Sequence, residues 1–352
     1  MADPEGPDAL PPLPIQPEGI AWPVRTWPTG DLPQAVAGGV RAMLDGAFGA
    51  DPSGPLGVTQ AVVIVQGGRL LSERYGEDFG PDATCRSWSM AKSMTHALVG
   101  MAVGDGLMDI HAPANVPAWR EPGDPRGAIT LDHLLRMSSG LAWREDYEPS
   151  HPSDVIEMLF GKGKDDVAAY AEAALLAHPP GSFFYYSSGT TNIVSRCLAR
   201  ALGLEGAALE AHMRRRLFEP LGMTSATPRF DAAGTFIGSS FCFCTPRDFA
   251  RFGLLYMRDG IWAGRRLLPE GWVDYARTPT YQQPDCESES RYGAHWWLDM
   301  AGPGSFSANG YEGQHIVLRP DRDLIIVRHG ATPTVDQPNV KTWLGDLARL
   351  FD

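Results

Sequence analysis

The sequence predicts an α/β (α+β) chain in which strands from both ends form one antiparallel sheet beside an inserted helical part. Three observations carry this. An apolar run, Val62-Val63-Ile64-Val65, is followed by Gly67-Gly68 and a second strand-like run over 69–75, which reads as a hairpin. Strand-like runs return only late, over 292–298, 315–319 and 324–328. Between the two groups the apolar spacing is helical.

In chain order, residues 1–33 hold nine prolines and no periodicity, and are expected to form an extended arm. A helix is expected over 34–49, then the hairpin. Helices follow over 89–103, 131–137, 165–178, 190–202 and 207–218. Thr245-Pro246-Arg247-Asp248 is a strong helix start, with a capping Thr, Pro at the first helical position and an acid in the first turn. Pro320-Asp321-Arg322-Asp323 is the turn between the last two strands, and a helix over 340–351 closes the chain. The main domain is therefore expected over 34–352. Its sheet-containing part spans 34–80 and 226–352, its helical part spans 81–225, and a cleft lies at their junction.

Composition excludes several classes. The 352 residues carry a net charge of −12, which opposes a nucleic-acid partner, because phosphate backbones demand basic patches. No uncharged apolar stretch is long enough for a membrane span. The acidic, Pro-rich start does not read as a secretory signal, and five cysteines without zinc-finger spacing fit buried thiols, so a cytoplasmic location is expected. The oligomeric state stays open, a homodimer included.

Only four lysines occur: Lys92, Lys162, Lys164 and Lys341. Lys92 completes Ser89-Met90-Ala91-Lys92. Residues three apart share a helix face, so the amine can reach the hydroxyl, and a lysine deprived of water can lose its proton and activate a serine. The helix around Lys92 is the most apolar of the chain, whereas Lys162 and Lys164 sit among charges. Ser89 also stands near the helix start, where free backbone N–H groups can bind an oxyanion.

Ser-Met-Ala-Lys-Ser, followed by Ala97-Leu98-Val99-Gly100, resembles the serine β-lactamase and penicillin-binding-protein superfamily. It is most similar there to class C-like carboxylesterases and 6-aminohexanoate-dimer (nylon oligomer) hydrolases. Ile129–Gly140, Leu217-Phe-Glu-Pro-Leu-Gly-Met223, Asp248-Phe-Ala-Arg-Phe-Gly253 and Leu268-Pro-Glu-Gly-Trp272 fall in family order. The resemblance implies a β-lactamase/transpeptidase-like fold and a serine hydrolase that cleaves a small ester or amide through an acyl-enzyme, without cofactor or metal.

The resemblance also implies site residues. Tyr186, six residues after Pro180, matches the family tyrosine in Tyr186-Ser187-Ser188, with Ser188, where Asn is frequent, expected to bind substrate. Beside Lys92 it is expected as a phenolate or a proton-sharing partner of the amine. Tyr185 and Tyr186 as packing aromatics are the alternative. Lys-Thr-Gly, usual on the cleft strand, is missing. Lys341-Thr342-Trp343 lacks the Gly and opens the terminal helix. Gly310-Tyr311-Glu312-Gly313-Gln314 resembles the nylon-hydrolase turn instead. Backbone N–H groups of Ser89 and Tyr311 then form the oxyanion hole and Glu312 binds substrate, unless the two glycines only serve a tight turn. Tyr147, on a polar loop over 143–152, is expected to close over the substrate, with Trp143 as the alternative aromatic. His96 and His133 read as core histidines. The rival readings are a D-alanyl-D-alanine peptidase or β-lactamase, and a catalytically silent binding protein on the same fold.

Overall fold

The computed structural model describes residues 10–147, 151–280 and 291–352. Its centre is a six-stranded antiparallel sheet of strands β1 (Val58–Gln66), β2 (Arg69–Tyr75), β3 (Trp297–Leu298), β4 (Phe306–Gly310), β5 (Gln314–Arg319) and β6 (Leu324–Ala331), in the order β2-β1-β6-β5-β4-β3. The junction between the two ends of the chain is β1 against β6, paired from Val58 opposite Ala331 to Gln66 opposite Leu324 with a register shift between Thr59 and Ala61. Both strands are central and covered on both faces, which explains their near-continuous apolar runs.

Alternate residues sort the two faces. Val62 and Ile64, with Val317 and Ile326, pack under the helices Gln34–Phe48 and Gln337–Arg349. Val63 and Val65, with Ile316, Ile325 and Val327, face the opposite way, into the main core shared with the helix Pro246–Met257 and the helical segments. Residues 10–33 run along the surface, where Arg277, Arg251 and Arg258 donate to the carbonyls of Pro11, Pro23 and Pro14 at 2.6, 2.6 and 3.3 Å.

Several boundaries differ from expectation for local reasons. The late run over 292–298 yields only β3, because His295 takes a left-handed φ of 55° and Tyr292 turns back to bridge Trp297. β4 was hidden in the sequence: Ala308-Asn309-Gly310 has the composition of a turn, yet pairs with β5 from Phe306 opposite Leu318 to Gly310 opposite Gln314. The helix expected over 165–178 is only Val167–Glu172. Trp119 Nε1 and Arg126 donate to the Glu172 carbonyl, and Arg126 also to that of Ala174, so side chains satisfy these acceptors and the chain leaves to bridge Leu141. The helix over 131–137 stops at Leu135 before Met137, which has φ 57°. The helix over 207–218 is Gly206–Met213 continued by a π-helical turn, Arg214–Phe218.

Cys85, Cys197, Cys242 and Cys244 are buried free thiols, while Cys286 lies outside the described residues. No helix of the described residues is long and apolar enough to cross a membrane.

Candidate active site

Ser89 lies in a 3₁₀ turn, Trp88–Met90, that runs straight into the helix Ala91–Gly104. Trp88 has a left-handed φ of 42°, an unfavourable conformation for a bulky residue, and it bends the chain so that the Ser89 side chain faces the cleft. Ser87 holds the turn from behind by donating to the Ser240 carbonyl and accepting from the Cys242 N–H.

Lys92 is buried, with 2% exposure. Its Nζ donates to Ser89 Oγ at 3.1 Å, Ser188 Oγ at 3.0 Å and the Ser239 carbonyl at 3.0 Å. Three donors meet three acceptors, so the ammonium form is satisfied. Burial nevertheless pulls its pKa down to about 8, against the opposing charge of Glu145, so the free amine is accessible near neutral pH.

Tyr186 precedes the helix Ser188–Leu202, whose start is capped by Ser187 accepting from the Thr190 N–H. Its ring lies 5.3 Å from that of Trp297 and 6.0 Å from that of Tyr292, and Lys92 Nζ stands 4.8 Å from its centre. The residue lines the same cavity as Ser89. Burial first, then the Glu145 charge, push its acidity far down in strength. That direction disfavours the phenolate, one of the two states expected beside Lys92, and leaves the proton-sharing partner, with the easier proton to remove on Lys92. Tyr185 points away, 43% exposed, into a different cavity.

Glu145 is the site residue that sequence reasoning missed. Its Oε1 accepts from the hydroxyls of Ser188 at 2.5 Å and Tyr147 at 2.6 Å, and its Oε2 from Trp143 Nε1 at 2.6 Å and the Ser188 N–H at 2.8 Å. Ser188 thus donates to Glu145 while accepting from Lys92, which gives its polar role. Tyr147 lies over Ser89, stacked 4.9 Å from Tyr311. Trp143 packs inside and contributes to the Glu145 cage instead of the cleft. Residues 148–150 of the expected loop lie outside the described residues.

On the opposite wall, β4 brings Asn309 and Gly310 to the cleft, followed by Tyr311. A Cβ on Gly310 would come within 2.4 Å of the Ser87 carbonyl, so the absence of a side chain lets β4 approach the Ser89 turn. Close approach, rather than a turn, is the requirement at this position. Glu312 is placed differently from a substrate contact. Its carboxylate accepts from Trp88 Nε1 at 2.9 Å and pairs with Arg86 at 3.5 Å, and it braces Trp88 from outside the cavities beside Ser89. His96 is hydrogen-bonded to the Tyr256 hydroxyl at 2.7 Å and stacked on Trp272, and His133 closes a capping box with Thr130.

Residues 56–345 match the model of the Beta-lactamase family. The chain belongs to the Beta-lactamase family. It is 25% identical over 315 residues to a 6-aminohexanoate-dimer hydrolase of Paenarthrobacter ureafaciens, covering 84% of this chain and 79% of that protein. Among solved structures it is similar to a Bacillus anthracis protein proposed to be a 6-aminohexanoate-dimer hydrolase, with TM-score 0.75, 21% identity and coverage of 97% and 90% of the two chains. It is also similar to a penicillin-binding-protein homologue of Caulobacter crescentus, with TM-score 0.69, 18% identity and coverage of 92% and 99%.

As a Beta-lactamase family member the chain departs from the familiar cleft strand, since β4 carries no lysine. A cation reaches the cleft from elsewhere. Lys341 does belong to the terminal helix Gln337–Arg349, yet its side chain lines the same cavity as Ser89, Tyr186, Trp297, Asn309 and His315. Lys341, read from the sequence only as part of the terminal helix, thus brings a cation to the cleft from a helix and not from the strand.

Proposed function

We propose that this Beta-lactamase family protein is a serine hydrolase that cleaves a small ester or amide through an acyl-enzyme on Ser89. The observation that carries the reading is the buried Lys92 Nζ, 3.1 Å from Ser89 Oγ, with its pKa drawn down to about 8. Neutral Lys92 takes the Ser89 proton as the Oγ–carbon bond forms. The backbone N–H groups of Ser89 and Tyr311 receive the oxyanion. Tyr186 gives its proton to the leaving oxygen or nitrogen as that bond breaks, and recovers one from the Lys92 ammonium. Water then cleaves the acyl-enzyme by the reverse proton path, returning Ser89 to its starting state.

The hydrolase named among the relatives supports this reaction class. A fluorophosphonate tests it: intact mass should rise by one adduct, and Ser89→Ala should abolish the labelling together with turnover of short p-nitrophenyl esters. Labelling that persists in Ser89→Ala, or maps to Ser187 or Ser188, overturns the assignment.

A further inference from the structure

The cleft around Ser89 is divided into two chemically unlike halves by the Tyr147–Tyr311 stack. One is a small cavity of about 70 Å³ whose walls are mainly apolar: Trp88, Val155, Ile156, Leu159 and Phe160. The other, about 230 Å³, is lined by Tyr186, Trp297, Asn309, His315, Gln337 and Lys341. Ser89, Tyr147 and Tyr311 border both; Tyr186 borders only the second.

We propose that the site selects substrates pairing a short uncharged acyl group with a leaving group that bears a carboxylate, received by Lys341. This rests on the Ser89 hydrolase reading, because that reading orients the substrate. Tyr186 hands its proton to the leaving atom, so the leaving group occupies the half that Tyr186 borders. The acyl chain is left with the apolar half, where no carboxylate among the described residues lines the wall to receive a cationic tail.

Lys341 stands on the leaving-group side. Its ammonium lies 5.7 Å from the Trp297 ring, the ring that Tyr186 also packs against at 5.3 Å. Among the described residues it has no hydrogen bond or ion pair, and the indole is its sole charge-stabilising contact. A partly desolvated cation without a counter-ion gains from an incoming carboxylate. His315 does not compete for that role. Its Nδ1 meets Asn309 Oδ1 at 3.0 Å, and burial beside Arg328, Lys341 and His329 keeps the ring neutral. Lys341 thus confers on this wall the positive charge that β4 lacks, from a helix that the strand motif gives no reason to inspect.

The test compares two butyryl esters, one of 4-hydroxybenzoate and one of its methyl ester, with each rate normalised to spontaneous hydrolysis. The wild-type protein should favour the free carboxylate roughly 10- to 100-fold in kcat/KM, mainly through KM, the scale of a hydrogen-bonded charge pair. Lys341→Met should bring that ratio close to one, and Lys341→Arg should retain most of it. A wild-type ratio of one, or a ratio that Lys341→Met leaves intact, overturns the proposal. A purely structural lysine would lower both rates together and leave the ratio alone, which also overturns it. The acyl half is read by replacing butyryl with hexanoyl and with 6-aminohexanoyl, and preference for the aminated chain refutes an uncharged acyl group. Failure of the hydrolase reading looks different: neither ester is turned over, or turnover survives Ser89→Ala.

Discussion

Glu145 holds Ser188 at two points, through its hydroxyl at 2.5 Å and its backbone N–H at 2.8 Å, and Ser188 in turn accepts from Lys92. A carboxylate 56 positions along the chain from Ser89 thereby sets both the geometry and the charge balance of the proposed base. Its charge opposes the burial that pulls the Lys92 pKa down.

The first prediction concerns pH. In the proposed mechanism neutral Lys92 is the active form, and its fraction rises with pH through a pKa of about 8. The kcat/KM for a neutral ester should therefore climb with pH and level off above that value. Removing the Glu145 charge in Glu145→Gln removes an effect that raises this pKa, so the rising limb should move to lower pH. A limb that stays put or moves upward would show that Glu145 does not act on Lys92.

The second separates adjacent tyrosines. Tyr186→Phe removes the phenol that shares the cavity of Ser89 and packs beside Lys92, and should lower kcat at least about 100-fold, the scale of a positioned acid–base group. Tyr185→Phe alters a ring that lines another cavity and should stay within about twofold. Combining Tyr186→Phe with Lys92→Ala should cost far less than the product of the single losses, as expected of one relay. Equal effects at both tyrosines would refute the register.

The third concerns the cover of the cleft. Tyr147→Phe keeps the stack on Tyr311 and removes the hydroxyl bonded to Glu145. A cover that contacts the substrate predicts slower amide turnover, smaller losses on activated esters and a melting temperature changed by at most about 2 °C. A lower melting temperature with unchanged amide kinetics would make Tyr147 a packing residue.

The fourth uses two glycines. Gly310→Ala forces a methyl against the Ser87 carbonyl, 2.4 Å away, and should push β4 from the Ser89 turn. A loss of roughly 10- to 100-fold in kcat is expected, since misplacement of about 1 Å has that effect. Gly38→Ala, in the helix Gln34–Phe48 with open space around it, should instead stabilise by about 0.5–1 kcal/mol and leave kcat alone. Thermal melts and ester kinetics on both variants check the contrast.

Whatever depends on local spacing was already legible in the linear sequence. Ser89 and Lys92 are one helical turn apart, so the chain alone brings amine to hydroxyl. Apolar runs marked β1, β5 and β6, and hence a sheet built from both ends, because strands buried on two faces must be apolar throughout. Tyr186 was reached through the spacing after Pro180 that the family resemblance supplies. Tertiary structure decided the rest. Glu145 is an ordinary acid in a polar loop until Ser188, Tyr147 and Trp143 converge on it. β4 reads as a turn because Ala308-Asn309-Gly310 is stabilised by pairing with β5 and by contact with the Ser89 turn, rather than by local propensity. Lys341 lies 249 positions after Lys92, on a helix whose sequence says nothing of the direction it faces. Packing of that helix against the sheet alone carries its ammonium into the cleft, because a side chain's neighbours across the fold are fixed by how elements dock and not by distance along the chain.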